Sequence, residues 1–143
     1  MLVLEPLLEK FTISTVDLKL VYTEQKGAKI SVEVKSIDDI QNGIHENYLE
    51  LDISFSLVAE IKCICVNFYK FNHNQYDILT KKDKYGKHYT HGFFEVVNSE
   101  YLKQVHKKYD PRNNLNLKHY IIAGYDSYVE LIASQNWIEQ IKI

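Results

Sequence analysis

A chain of 143 residues with 45% hydrophobic and 25% charged side chains has the proportions of one ordinary globular domain. Those proportions exclude a disordered protein, a collagen-like repeat and a disulfide scaffold, and five glycines and two prolines leave little room for linkers. A net charge of −2, with Arg112 as the single arginine, excludes a strongly basic DNA-coating protein and argues against nucleic acid as the partner.

The first ten residues hold Glu5 and Glu9 where a signal peptide needs positive charge. No apolar run approaches the ~18 residues of a membrane span. With Cys63 and Cys65 as its only cysteines, the chain reads as a soluble cytoplasmic protein with no membrane segment. Pro6–Phe11 reads as a short N-terminal helix.

Period-two alternation then dominates. Val16, Leu18 and Leu20 alternate with Asp17 and Lys19, and Ile30, Val32 and Val34 alternate with Ser31 and Glu33. The polar residues 24–28 between them, with Gly27, make this an antiparallel hairpin. Asn42-Gly43 marks a turn. Leu49, Leu51, Ile53, Phe55 and Leu57 share one face of the clearest strand, because a strand places alternate residues together and a helix would scatter them. Residues 60–71 alternate less cleanly and read as a central strand buried on both faces.

Residues 72–92 form the longest irregular stretch, with a short pairing near Tyr76–Thr80. Phe93–Val97 is a strand. Ser99 caps a helix over about 99–109, with Glu100 in its first turn, Lys107 and Lys108 in its last, and Leu102, Val105 and Tyr109 as its apolar stripe. Asp110-Pro111 stops it. Lys118–Ala123 and Tyr128–Ala133 flank Gly124–Ser127 as a second hairpin, and residues 137–143 close the chain as a strand. The expected architecture is a single mainly β domain of the α+β class over residues 1–143. It has seven or eight mostly antiparallel strands and one clear helix.

The chemistry is sparse. Cys63 and Cys65 lie on one strand face about 6.6–7 Å apart, too far for an unstrained disulfide, and read as buried core thiols. His88 and His91, with His73, lack the glutamate and helix of a zincin motif and read as loop histidines. His45 and His119 have no evident partner in the sequence. Asp38 and Asp39 read as a solvated turn pair. No Gly-rich phosphate loop or Gly-x-Ser-x-Gly elbow occurs. These observations imply no catalytic residue, no metal and no cofactor.

The charge map is more informative. Residues 1–60 carry a net −6, residues 61–120 a net +6 and residues 121–143 a net −2. Lys81, Lys82, Lys84 and Lys87 crowd the long loop and interleave with Tyr85 and Tyr89. Such a loop suits an acidic protein partner through steering and tyrosine anchors, single-stranded nucleic acid through stacking, or plain solubility. The 11 tyrosines fit a contact surface, or equally the codon bias of an AT-rich genome, since Lys, Asn and Ile are abundant with them.

Phe94–Leu102, with Asn98-Ser99 before the helix, and Lys118–Ala133, with its His-Tyr start and Tyr-Asp turn, resemble a layout in small uncharacterised bacterial proteins. Some of these are similar to immunity proteins of polymorphic toxin systems. The resemblance implies a binding protein and carries over no functional residue. The sequence is therefore read as a non-enzymatic cytoplasmic binding protein of immunity type that docks on a toxin or another protein. The partner-binding candidates are Lys81, Lys82, Lys84, Tyr85, Lys87 and Tyr89. The alternatives are a small enzyme whose site is assembled from distant strands, and a barrel-like carrier of an apolar ligand.

Overall fold

The computed structural model describes residues 1–14, 17–79 and 92–142. Alternating segments pair into two sheets. The five-stranded sheet has the order β11-β5-β4-β2, with β3 also paired to β4. Its strands are β2 (Phe11–Ile13), β3 (Lys19–Thr23), β4 (Gly27–Ser36), β5 (Tyr48–Phe55) and β11 (Trp137–Ile141). The six-stranded sheet has the order β6-β10-β9-β8-β1-β7. It comprises β1 (Leu2–Pro6), β6 (Val58–Ile64), β7 (Tyr76–Ile78), β8 (Phe93–Val97), β9 (Leu117–Ala123) and β10 (Tyr128–Ser134). Every pairing is antiparallel except β1 with β7. Three helices interrupt the strands among the described residues: α1 (Ile37–Gln41), α2 (Phe68–Phe71) and α3 (Glu100–Tyr109).

The alternation that makes each strand also builds the core. Ile30, Val32, Val34, Leu51, Ile53 and Phe55 of one sheet meet Phe93, Tyr120, Ile122, Val129 and Leu131 of the other. Phe55 sits at the centre, edge-on to Phe93 at 6.1 Å and tilted to Tyr120 at 5.2 Å. Truncating such a ring to alanine costs about 3–5 kcal/mol. The six-stranded sheet buries its second face too. Leu4, Phe94, Val96, Ile121, Ala123 and Tyr128 pack there with Phe68 of α2. This double burial explains the near-continuous apolar runs of β9 and β10.

The mainly β class, both hairpins and the helix after Ser99 stand as the alternation implies. Several expectations need correction. Pro6–Phe11 is not a helix: Leu2–Pro6 is a strand seated between β7 and β8, and Phe11–Ile13 pairs with β4. These two strands, which the sequence did not signal, help bring the total to eleven among the described residues. Among the described residues strand β6 is an edge, not a centre, because it pairs with β10 alone, and the strand expected over 60–71 ends at Ile64, with Phe68–Phe71 forming α2. Cys63 and Cys65 are consequently exposed rather than buried core thiols. Leu57 leaves the five-residue face, since β5 ends at Phe55 and Leu57 turns outward in the tight link to β6.

Candidate functional site

The six candidate contact residues Lys81, Lys82, Lys84, Tyr85, Lys87 and Tyr89 lie outside the described residues, as do His88 and His91. The described residues on either side fix where that segment joins the fold. The Leu79 N–H donates to the Leu4 carbonyl at 2.8 Å, and the Gly92 carbonyl accepts from the Ala123 N–H at 2.7 Å. Gly92 has φ +84, and a Cβ there would stand 2.8 Å from Cβ of Ile13, so only glycine fits. The strand registers carry both junctions toward the end of the six-stranded sheet that holds the β9–β10 turn.

At that turn Tyr125 is held by contacts from two other parts of the chain. Its hydroxyl meets Ser14 Oγ at 2.8 Å. Its carbonyl accepts from Asn67 Nδ2, while Asn67 Oδ1 caps α2 by accepting from the Lys70 N–H at 2.9 Å. Tyr125 nevertheless keeps 49% of its surface in water, and Val66, next to Asn67, is exposed as well. A fixed yet exposed aromatic is a ready anchor, because little side-chain entropy remains to be lost on contact.

The opposite end of the same sheet holds a cleft of about 640 Å³, whose walls include Leu2, Val96, Asn98, Ser99, Tyr101 and His119. Strand β8 passes into α3 through Asn98, whose φ of +51 is tolerated by asparagine better than by most residues. Ser99 then caps α3, its Oγ accepting from the Leu102 N–H at 3.0 Å. The same Oγ lies 2.6 Å from His119 Nδ1 on β9, and His119 Nε2 lies 2.6 Å from Glu130 Oε1 on β10. A carboxylate can only accept, so Nε2 carries a proton, and in the neutral imidazole Nδ1 is then left to accept from the Ser99 hydroxyl. Both ring nitrogens of the buried histidine are thereby paired, as burial requires.

A second polar network adjoins it. The Tyr101 hydroxyl donates a short hydrogen bond to Glu60, the Tyr109 hydroxyl donates to its other oxygen at 2.6 Å, and Lys62 Nζ approaches at 3.1 Å. Lys62 also sits 4.2 Å over the Tyr101 ring. Burial alone would raise the Glu60 carboxyl, but the two hydroxyls and the ammonium hold it below the usual carboxylate range. Tyr101 joins the networks, since its ring centroid lies 5.8 Å from that of His119.

The remaining candidates stay apart. Asp38 and Asp39 sit in the first turn of α1, where Asp39 accepts from Asn47 Nδ2 at 3.1 Å. His45 and His73 are exposed. No group of three or more His, Cys, Asp or Glu among the described residues could hold a metal ion. No helix among them is long and apolar enough to cross a membrane.

Sequence reasoning identifies Ser99 only as a cap, leaves His119 without a partner and passes over Glu130. The hairpin register is the missed signal, because it places residues 119 and 130 diagonally on one face. Comparison with known proteins finds no matching family model, no matching curated protein and no matching solved structure.

Proposed function

We propose that this chain is a cytoplasmic binding protein of immunity type. It docks on an acidic protein partner, a toxin in the leading case, through the end of the sandwich that carries Tyr125 and the attachment of residues 80–91. The observation that carries this reading is Tyr125: half exposed, yet fixed by Ser14 and Asn67 beside the junctions of a segment rich in lysine and tyrosine. Lysines there raise the association rate by steering, and tyrosines supply the desolvated contact.

The test is association with the protein encoded by the neighbouring gene, measured by stopped flow over a range of salt. Tyr125→Ala should speed dissociation at least about tenfold, as loss of an anchoring aromatic does. Replacing Lys81, Lys82, Lys84 and Lys87 with Gln should slow association and flatten its salt dependence, since at ~0.15 M the Debye length is only ~8 Å. Wild-type kinetics in both variants would exclude this end of the molecule as the contact surface.

A further inference from the structure

We infer that Ser99 is a nucleophile toward small carboxylic esters seated in the cleft, with His119 as its general base and Glu130 as the residue that positions His119. The inference is independent of the partner-docking reading and concerns the other end of the sheet. Three observations carry it. Nucleophile, base and orienting carboxylate form one linear chain with both links at 2.6 Å, the arrangement that nucleophilic catalysis needs. Ser99 and His119 both line the 640 Å³ cleft, although both are otherwise buried. The serine stands at a strand–turn–helix junction, followed by the Glu100 N–H, which has no acceptor among the described residues.

Helix capping does not account for this arrangement by itself. A cap uses only an acceptor lone pair of Ser99, which the Leu102 N–H occupies. The hydroxyl proton is directed separately to His119 Nδ1, whose proton-accepting tautomer Glu130 enforces through Nε2.

The step balances without a cofactor. Ser99 Oγ adds to the ester carbonyl carbon as its proton passes to His119 Nδ1. The resulting imidazolium stays hydrogen-bonded through Nε2–H to Glu130. Glu100 also lines the cleft, and its N–H is the donor assigned to the tetrahedral oxyanion. Collapse breaks the carbon–alkoxy bond, and the leaving alcohol takes the proton from His119. Water then repeats the sequence on the acyl-serine and releases the carboxylic acid. Leu2, Val96 and Val97 on the walls favour a short apolar acyl group, and Asn74, Gln75 and Asn98 supply polar contacts.

The experiment is labelling of the full chain with an alkyl fluorophosphonate, read by intact mass and peptide mapping, alongside release of p-nitrophenol from p-nitrophenyl acetate. The wild type should acquire one adduct, on Ser99. Ser99→Asn keeps a capping side chain but no hydroxyl, and should acquire none. His119→Gln should label at least ~100-fold more slowly, the scale of a lost general base. Glu130→Leu should slow labelling and shift the His119 tautomer seen by nitrogen-15 NMR, while Glu130→Gln, whose amide oxygen still accepts from Nε2–H, should restore the tautomer and most of the labelling rate. Ester turnover should follow the same order. A wild type unlabelled at Ser99, a label elsewhere, or wild-type labelling in folded His119→Gln would overturn the inference. Should His119→Gln fail to fold, the site and rate of the wild-type adduct decide alone.

Discussion

His119 and Glu130 stand diagonally across the β9–β10 hairpin with Nε2 and Oε1 2.6 Å apart, and His119 is 2% exposed. Burial makes the carboxylate a structural requirement whatever chemistry Ser99 performs. Glu130→Leu removes the acceptor and strands a buried ring N–H, which should cost about 1–3 kcal/mol in urea unfolding. Ser99→Ala should lose about 1 kcal/mol as a cap, and Ser99→Asn should recover most of that. A Glu130→Leu variant within ~0.5 kcal/mol of the wild type, the range of ordinary surface changes, would mean that the contact is not made in solution.

The local rules were readable wherever one face of an element is wet. Lys29 and Glu33 on β4, and Glu100 and Lys107 on α3, alternate with apolar partners at the period of their element, so strand and helix were legible. Signals failed where tertiary pairing decides. Leu2–Pro6 carries only five residues of pattern and becomes a strand because β7 and β8 satisfy its backbone on both sides. Residues 58–64 are rich in β-formers, and nothing local distinguishes a centre from an edge. The Ser99, His119 and Glu130 constellation is likewise a product of register, since its members come from a helix cap and two strands.

Edge placement changes what the cysteines should do. In the native protein Cys63 and Cys65 should both react with a thiol reagent without denaturant. Burial at the strand edge and the neighbouring Cys65 push the Cys63 thiol up, so its labelling should keep accelerating above the ordinary thiol range. Alanine at either position should change stability by less than ~0.5 kcal/mol. Labelling that requires denaturant would restore the buried-thiol expectation and move β6 into the core.

Two glycines with the same backbone conformation should respond differently to alanine. Gly27 has φ +79 and Gly43 has φ +78. At Gly43 a Cβ meets nothing within 4 Å, so Gly43→Ala carries only the left-handed strain of about 1–2 kcal/mol. At Gly27 the Cβ would fall 2.1 Å from the Phe55 carbonyl oxygen, which is backbone and cannot swing aside. Gly27→Ala must therefore shift β4 against β5, where Ala28 pairs with Phe55, and should lower the urea midpoint much further. Equal losses in the two variants would show that the β4–β5 register near residue 27 is looser than these distances imply.

Acid should act through Glu60. Burial works to raise its carboxyl, yet the Tyr101 and Tyr109 hydroxyls and Lys62 outweigh burial and hold it below the usual range. A folded pKa below the unfolded one means that the native state favours the ionised form. The resulting stability is fully present above the unfolded carboxylate pKa of about 4.3 and disappears as pH falls through the lower folded value. The margin of the wild type over Glu60→Gln should therefore be flat near pH 7 and shrink below about pH 5. Tyr109→Phe removes one of the two hydroxyl donors, so the carboxyl should titrate closer to its ordinary value, and the acid loss, with the same onset, should be smaller and complete at a higher pH. Unfolding midpoints in urea from pH 7 to pH 3 measure both effects. A Glu60→Gln margin that stays constant across that range would mean that the carboxylate is not favoured by folding, and that Tyr101 and Tyr109 find other partners in solution.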